Sequence, residues 1–308
     1  MQPFPFYLDW IISGQFVGLC WAYRRGLYAP PGLDVKLLWS EEDHTIVDKI
    51  VSGGICAGSS EDNLIVSGIA AGKRIKAVAG MLQQSPLVLM TKRSTGIQSL
   101  ADLSGRRVAM HADGIRILEA VLALSGIDRA TIDLHEVTFD IANLVDDRYD
   151  AVQGYAMTEP IELAEKGFDV CLVPVRHPFL HAYAQVIFTS EECIAQRPET
   201  LRAFLAASFA GWREAMLHRD EAAEIVAEMA GTGASVTTER HVLDALSSFV
   251  SGETGMERFG VMDLARWQRN LETYARFEIT PRRMAVAEVV DPRFLDEIYG
   301  SRESEAAG

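Results

Sequence analysis

The sequence predicts an α/β fold of two lobes, and three patterns carry that expectation. Short apolar strands alternate with amphipathic helices from residue 4 to residue 80, which is the signature of a parallel sheet with right-handed crossovers. A second alternating series begins after the polar run Lys92-Arg93-Ser94-Thr95-Gly96, and from Ala184 the chain returns and becomes almost wholly helical. The expected lobes are a larger, discontinuous one of residues 1–92 plus 189–308 and a smaller one of residues 93–188.

Residues 4–10 form an apolar strand closing on Asp9-Trp10, and 15–25 carry apolar residues at helical spacing before Gly26. Pro30-Pro31-Gly32 is a turn, and residues 33–39, rich in Val and Leu, are the next strand, with Trp39 at its end. His44 is expected at the opening of a helix, and Ile46, Val47 and Ile50 mark that short helix, which Ser52-Gly53-Gly54 stops. Residues 55–58 then read as a buried strand. Ser59-Ser60-Glu61-Asp62 reads as a helix start, with hydroxyls and carboxylates where free amides need partners. Residues 75–80 and 87–91 are further strands.

In the second series, 107–110 is a strand, His111-Ala112-Asp113-Gly114 a turn, and 115–124 a helix with Ile115, Leu118 and Leu122 on one face. Strands at 132–137, 151–155 and 170–173 alternate with helices at 141–145 and 159–165. Residues 184–188 are the strand of the return crossing, followed by a helix start at Ser190-Glu191-Glu192. Helices are expected at 198–217, 221–230, 239–249 and 262–274, and SRESEAAG at the end reads as a frayed tail.

With 308 residues, 48% hydrophobic and 23% charged, the chain can bury one large or two ordinary cores. A formal net charge of −14 excludes a nucleic-acid surface, which needs clustered Lys and Arg to displace counterions. The four cysteines, Cys20, Cys56, Cys171 and Cys193, have no metal-ligand spacing. They read as buried free thiols, Cys56 structural because Glu61 and Asp62 nearby would disfavour its thiolate. The histidines show no metal signature and the glycines no dinucleotide fingerprint, so neither metal nor cofactor is expected. No run reaches membrane-span length, and MQPFPFYLDW lacks the regions of a signal peptide. The protein is expected either outside the cytoplasmic membrane after removal of a signal segment or in the cytoplasm.

Turns that leave the carboxyl ends of strands face the ligand crevice of an open α/β sheet. The candidate ligand-binding residues on those turns are Asp9, Trp10, Gln15, Trp39, Ser59, Ser60, Glu61, His111, Asp113, Tyr155 and Glu159. Trp10 offers a flat indole to a planar ligand and Trp39 a second such face. His111 and Asp113 lack a nucleophile or second base at a readable spacing, so they suit a turn or a ligand hydrogen bond better than catalysis. The carboxylates on these turns, with Arg116 as the nearest cation in sequence, favour a neutral or cationic ligand over an anion.

Leu8-Asp9-Trp10, Arg25-Gly26-Leu27-Tyr28 and Gly32-Leu33-Asp34-Val35 resemble the opening of ABC-transporter solute-binding proteins of the thiamine-pyrimidine, alkanesulfonate and nitrate group. Val51-Ser52-Gly53, Ala57-Gly58, Ala71-Gly72, Gly96-Ile97, Asp102-Leu103-Ser104-Gly105 and Tyr149-Asp150-Ala151-Val152 continue the likeness in order. Tyr155 with Thr158-Glu159-Pro160-Ile161-Glu162-Leu163 is similar to the pyrimidine-precursor branch.

The resemblance implies a type II periplasmic-binding fold with two hinge crossings, closure on a small heteroaromatic ligand, and delivery to an ABC permease. It places Asp9, Trp10, Tyr155 and Glu159 at pocket positions. Where the family often has a proline and a histidine after the tryptophan, this chain has Ile11-Ile12-Ser13-Gly14-Gln15-Phe16. Fungal pyrimidine-forming enzymes of the same family carry a cysteine-rich run and a histidine; here the cysteines are scattered and Leu64 stands at the histidine position. The resemblance therefore implies a binding protein, with a cytoplasmic enzyme on the same scaffold and a ligand-sensing domain as the alternatives.

Overall fold

The computed structural model describes residues 1–39, 45–138, 140–251 and 255–300. His44 and the tail 301–308 lie outside the described residues. In chain order the elements are β1 (Gln2–Tyr7), α1 (Val17–Arg24), β2 (Leu33–Leu38), α2 (Ile46–Val51), β3 (Ala57–Ser60), α3 (Asp62–Ala70), β4 (Ile75–Leu82), β5 (Leu87–Lys92), β6 (Arg107–Met110), α4 (Ala112–Leu124), β7 (Asp133–Glu136), α5 (Ala142–Val145), β8 (Ala151–Tyr155), α6 (Glu159–Glu165), β9 (Val170–Pro174) and β10 (Ala184–Ser190). The helices α7 (Glu191–Gln196), α8 (Pro198–Leu217), α9 (Arg219–Ala230), α10 (Val236–Val250), α11 (Leu264–Arg276), α12 (Val286–Val289) and α13 (Arg293–Tyr299) complete the fold.

The chain divides into two α/β units, Met1–Gln84 with Tyr183–Gln268 and Met284–Gly308, and Ser85–Ala182 with Arg269–Arg283. Each holds a five-stranded sheet, ordered β2-β1-β3-β10-β4 in the first and β7-β6-β8-β5-β9 in the second. Val35 and Met110 thus belong to different sheets. The bounds differ from expectation at three places. β5 pairs antiparallel with β8 and β9, so the change of unit falls at Ser85 rather than in the polar run after Thr91. β10 pairs antiparallel with β3 and β4, which puts the whole strand in the first unit. Residues 269–283 belong to the second unit because Asn270 Nδ2 donates to the His181 carbonyl at 2.9 Å, Thr273 Oγ1 to that of Phe179 at 3.2 Å, and Arg116 Nη1 to that of Glu278 at 3.2 Å.

The core of the first unit is aromatic. Phe204 of α8 stacks on Phe4 and Phe6 of β1 at centroid distances of 4.4 and 5.1 Å, and on Tyr28 at 5.6 Å. Trp212 stacks on Phe259 at 4.8 Å. Helices α1 and α8 approach closely because Gly18 and Gly211 face each other; a Cβ on Gly211 would lie 2.4 Å from the Gly18 carbonyl oxygen. The core of the second unit is aliphatic and built on Val88, Met90, Ala109, Leu144, Val152 and Leu163. Among the described residues no helix is long and apolar enough to cross a membrane.

Candidate ligand-binding site

In the first unit, the parallel pairing of β1 with β2 and β3 gathers their carboxyl ends along one edge. β1 ends at Tyr7 rather than Trp10, so Asp9 and Trp10 stand in the loop beyond the strand, both partly exposed. Ser59 is fully buried; its Oγ donates to Asp9 Oδ1 at 2.7 Å and accepts from the Asp9 amide at 3.2 Å. This reciprocal pair ties the loop after β1 to β3.

Ser59 and Ser60 are not a helix start, as expected from sequence, but the last residues of β3. Their partners in β10, Ile187 and Val186, hold them in the sheet, and Glu61 becomes the residue that caps α3. Ser60 is buried as well. Gln15 is only 3% exposed, in a 3-10 turn that precedes α1, whereas the expected helix included it. Trp39 lies just past β2 and is 44% exposed.

Glu239 escaped the sequence reading, and Asp62, expected only as part of a helix start, has a further role. Glu239 of α10, itself buried, accepts from the Gly14 amide at 2.6 Å and so anchors the loop that carries Trp10. Asp62, 0% exposed, accepts from the Tyr183 amide at 2.8 Å and fixes the start of β10 next to α3. Both bonds join residues more than a hundred positions apart, which no local pattern signals.

In the second unit, β6 and β8 run parallel, so the residues after them share an edge. His111 is the capping residue of α4, which begins at Ala112 rather than Ile115, and its amide donates to Gln153 Oε1 at 3.0 Å. Asp113 Oδ1 accepts from the Gly114 amide at 2.9 Å. Gln153, unmarked in the sequence, is the buried link between the two strand ends. Glu159 turns back on its own strand: its Oε2 accepts from the Tyr155 amide and from Thr158 Oγ1, both at 2.6 Å.

Burial raises the Glu159 carboxyl above its ordinary value of 4.5, against the opposing pull of those bonds. A raised folded value means that the native state holds this proton more tightly than the unfolded chain. Its contribution to stability is present below pH 4.5 and is lost as pH rises through the folded value. Glu159→Gln is therefore expected to flatten that part of the pH–stability profile. Urea denaturation from pH 4 to 8 checks it, and wild-type and variant profiles that stay parallel would contradict the assignment.

The described residues contain no group of three His, Cys, Asp or Glu side chains that could hold a metal ion. Arg116 is exposed, and its guanidinium donates to the Glu278 carbonyl. The strand-end loops thus present acceptors and aromatic rings.

The chain is 25% identical over 281 residues to the riboflavin-binding protein RibY of Chloroflexus aurantiacus, covering 88% of this chain and 80% of that one. It is 25% identical over 224 residues to a formylaminopyrimidine-binding protein of Halalkalibacterium halodurans, covering 71% and 68%. In fold it is similar to the periplasmic aliphatic sulphonate binding protein SsuA of Escherichia coli, with a TM-score of 0.74 and 13% identity over 95% of this chain and 93% of the other. Residues 13–222 match the family described as NMT1/THI5 like, and the chain belongs to that family.

Proposed function

We propose that this protein is the solute-binding component of an ABC transporter and captures a neutral or cationic heteroaromatic molecule, of flavin or aminopyrimidine type. In this reading it works outside the cytoplasmic membrane and delivers its ligand to a membrane permease. One observation carries the proposal: in each unit the candidate loops carry an aromatic ring together with carboxylates, Trp10 with Asp9 and Glu61 in the first and Tyr155 with Asp113 and Glu159 in the second, while Arg116 is engaged elsewhere. Stacking on an indole suits a planar ring, and ring N–H or amino groups donate charge-assisted bonds to a carboxylate. A bare anion would instead need Arg, Lys or unpaired helix-start amides. The named ligands of the two curated relatives, riboflavin and a formylaminopyrimidine, are both planar nitrogen heterocycles and support the same choice.

An enzyme on this scaffold would need a nucleophile paired with a base at the candidate loops. Leu64 stands at the resemblance's histidine position, and Ser59 is held by Asp9. A thermal-shift screen tests the proposal, since a ligand that binds only the native state raises the midpoint by mass action. Riboflavin or an aminopyrimidine is expected to raise the melting temperature and alkanesulfonates or nitrate to leave it unchanged. A rise with the anions alone would overturn the proposal.

A further inference from the structure

We propose that Cys56 and Cys193 form a reversible dithiol pair, which exchange with a small-molecule disulfide converts into one bond joining the residue before β3 to α7. Neither thiol belongs to the ligand-binding reading. The sheet register brings them together: Ala57 pairs with Thr189, so Cys56 lies across from Ser190, the capping residue of α7. Cys193 follows three residues later, its amide donating to Ser190 Oγ at 3.1 Å. Thr189 Oγ1 donates to the Cys56 carbonyl at 2.5 Å and fixes that backbone from the other side. The register and the helix start thus bring the two thiols close enough for each to shift the titration of the other.

Arg197, one turn beyond Cys193, completes the cluster. Its Nη1 donates to Cys56 Sγ at 2.8 Å and its Nη2 to the Pro3 carbonyl at 2.7 Å, so a fixed cation sits on the pair. A nearby cation favours the thiolate, which is the form that attacks a disulfide. Cys193 is held below the ordinary thiol value, first by its interaction with Cys56 and to a lesser degree by Arg197, while Cys56 is raised by that same interaction and by burial. The acidic neighbours Glu61 and Asp62, expected from sequence to govern Cys56, are not among the causes. Cys20, by contrast, is wholly enclosed in α1 and pushed up to about 12 by burial. Cys56 and Cys193 each keep 9% of their surface exposed.

The chemistry balances as two exchanges. The Cys193 thiolate attacks one sulfur of the small disulfide, whose S–S bond breaks, and the departing thiolate takes up a proton. Cys56 then gives up its proton and attacks the Cys193 sulfur, expelling the second small thiol. Two protein thiols are oxidised to one disulfide, and the small disulfide is reduced to two thiols.

The test is to treat the full native chain with oxidised glutathione, quench with an alkylating agent, and map the peptides by mass spectrometry. The expected product is a monomer with a Cys56–Cys193 disulfide, two hydrogen masses lighter, restored by a thiol reductant, with a melting temperature raised by several degrees. Cys56→Ser is expected to leave a stable glutathione adduct on Cys193, and Arg197→Met to slow exchange at neutral pH about tenfold, a factor set by the fraction of thiolate. Full alkylation of both cysteines after treatment, cross-linked dimers in place of the internal bond, or no adduct in Cys56→Ser would each overturn the proposal.

Discussion

Phe204→Ala is expected to destabilise the first unit by about 3–5 kcal/mol, the range for removing a buried phenylalanine. The ring is wholly enclosed and stacks on Phe4, Phe6 and Tyr28 at 4.4, 5.1 and 5.6 Å, so its loss leaves a cavity walled by three rings that belong to a strand and a turn. Neither β1, hydrogen-bonded on both sides, nor α8, set against α1 at Gly211, is free to collapse into the gap. The effect can be read in one unit alone. All five tryptophans, Trp10, Trp21, Trp39, Trp212 and Trp267, lie in the first unit, so tryptophan fluorescence during urea denaturation follows its transition without the second. A loss below about 1 kcal/mol, the low side of ordinary core substitutions, would show that the aromatic stack does not organise this core.

Glu159→Ala is expected to act twice. The carboxylate holds the Tyr155 amide and the Thr158 hydroxyl, and losing hydrogen bonds to a charged group costs about 1.5–3 kcal/mol. Both bonds fall on Oε2, and in the proposed reading a ring N–H or amino group of the ligand donates to the same carboxylate. Affinity for a flavin or aminopyrimidine is therefore expected to fall by roughly ten- to a hundredfold, the equivalent of one charge-assisted bond. Glu159→Gln separates the roles, because it keeps an acceptor for the backbone amide but not the charge. Equal affinity of wild type and both variants would remove Glu159 from the ligand site.

Much of the fold was legible because its signals are local. The alternation of strand and helix through β4, the Gly-rich stop after α2, and the long amphipathic α8 all follow from residues within a few positions of one another. What escaped was decided at long range. Ser59 and Ser60 carry helix-start chemistry, yet pairing with Ile187 and Val186 draws them into a buried strand, where Ser59 finds Asp9. The continuous helical pattern of α11 conceals a change of unit at Arg269, set by Asn270 reaching the His181 carbonyl.

The candidate site was legible as a set of strand ends and less so as chemistry. Asp9, Trp10, His111, Tyr155 and Glu159 stand in the loops or at the strand and helix ends where the turns suggested. The residues that hold the loop after β1, the start of β10 and the strand ends of the second unit, Glu239, Asp62 and Gln153, contact partners 225, 121 and 42 positions away. Their hydrophilic identity within helices and a strand was the only local trace, and a solvent-facing position accounts for such residues equally well from sequence alone.

Isothermal titration of the full chain with riboflavin, an aminopyrimidine and an alkanesulfonate tests the central proposal most directly. Binding of one of the two heterocycles at low micromolar affinity or tighter, about −8 kcal/mol, with no heat from the sulfonate, is the expected result. Tight binding of the sulfonate with neither heterocycle bound would contradict it.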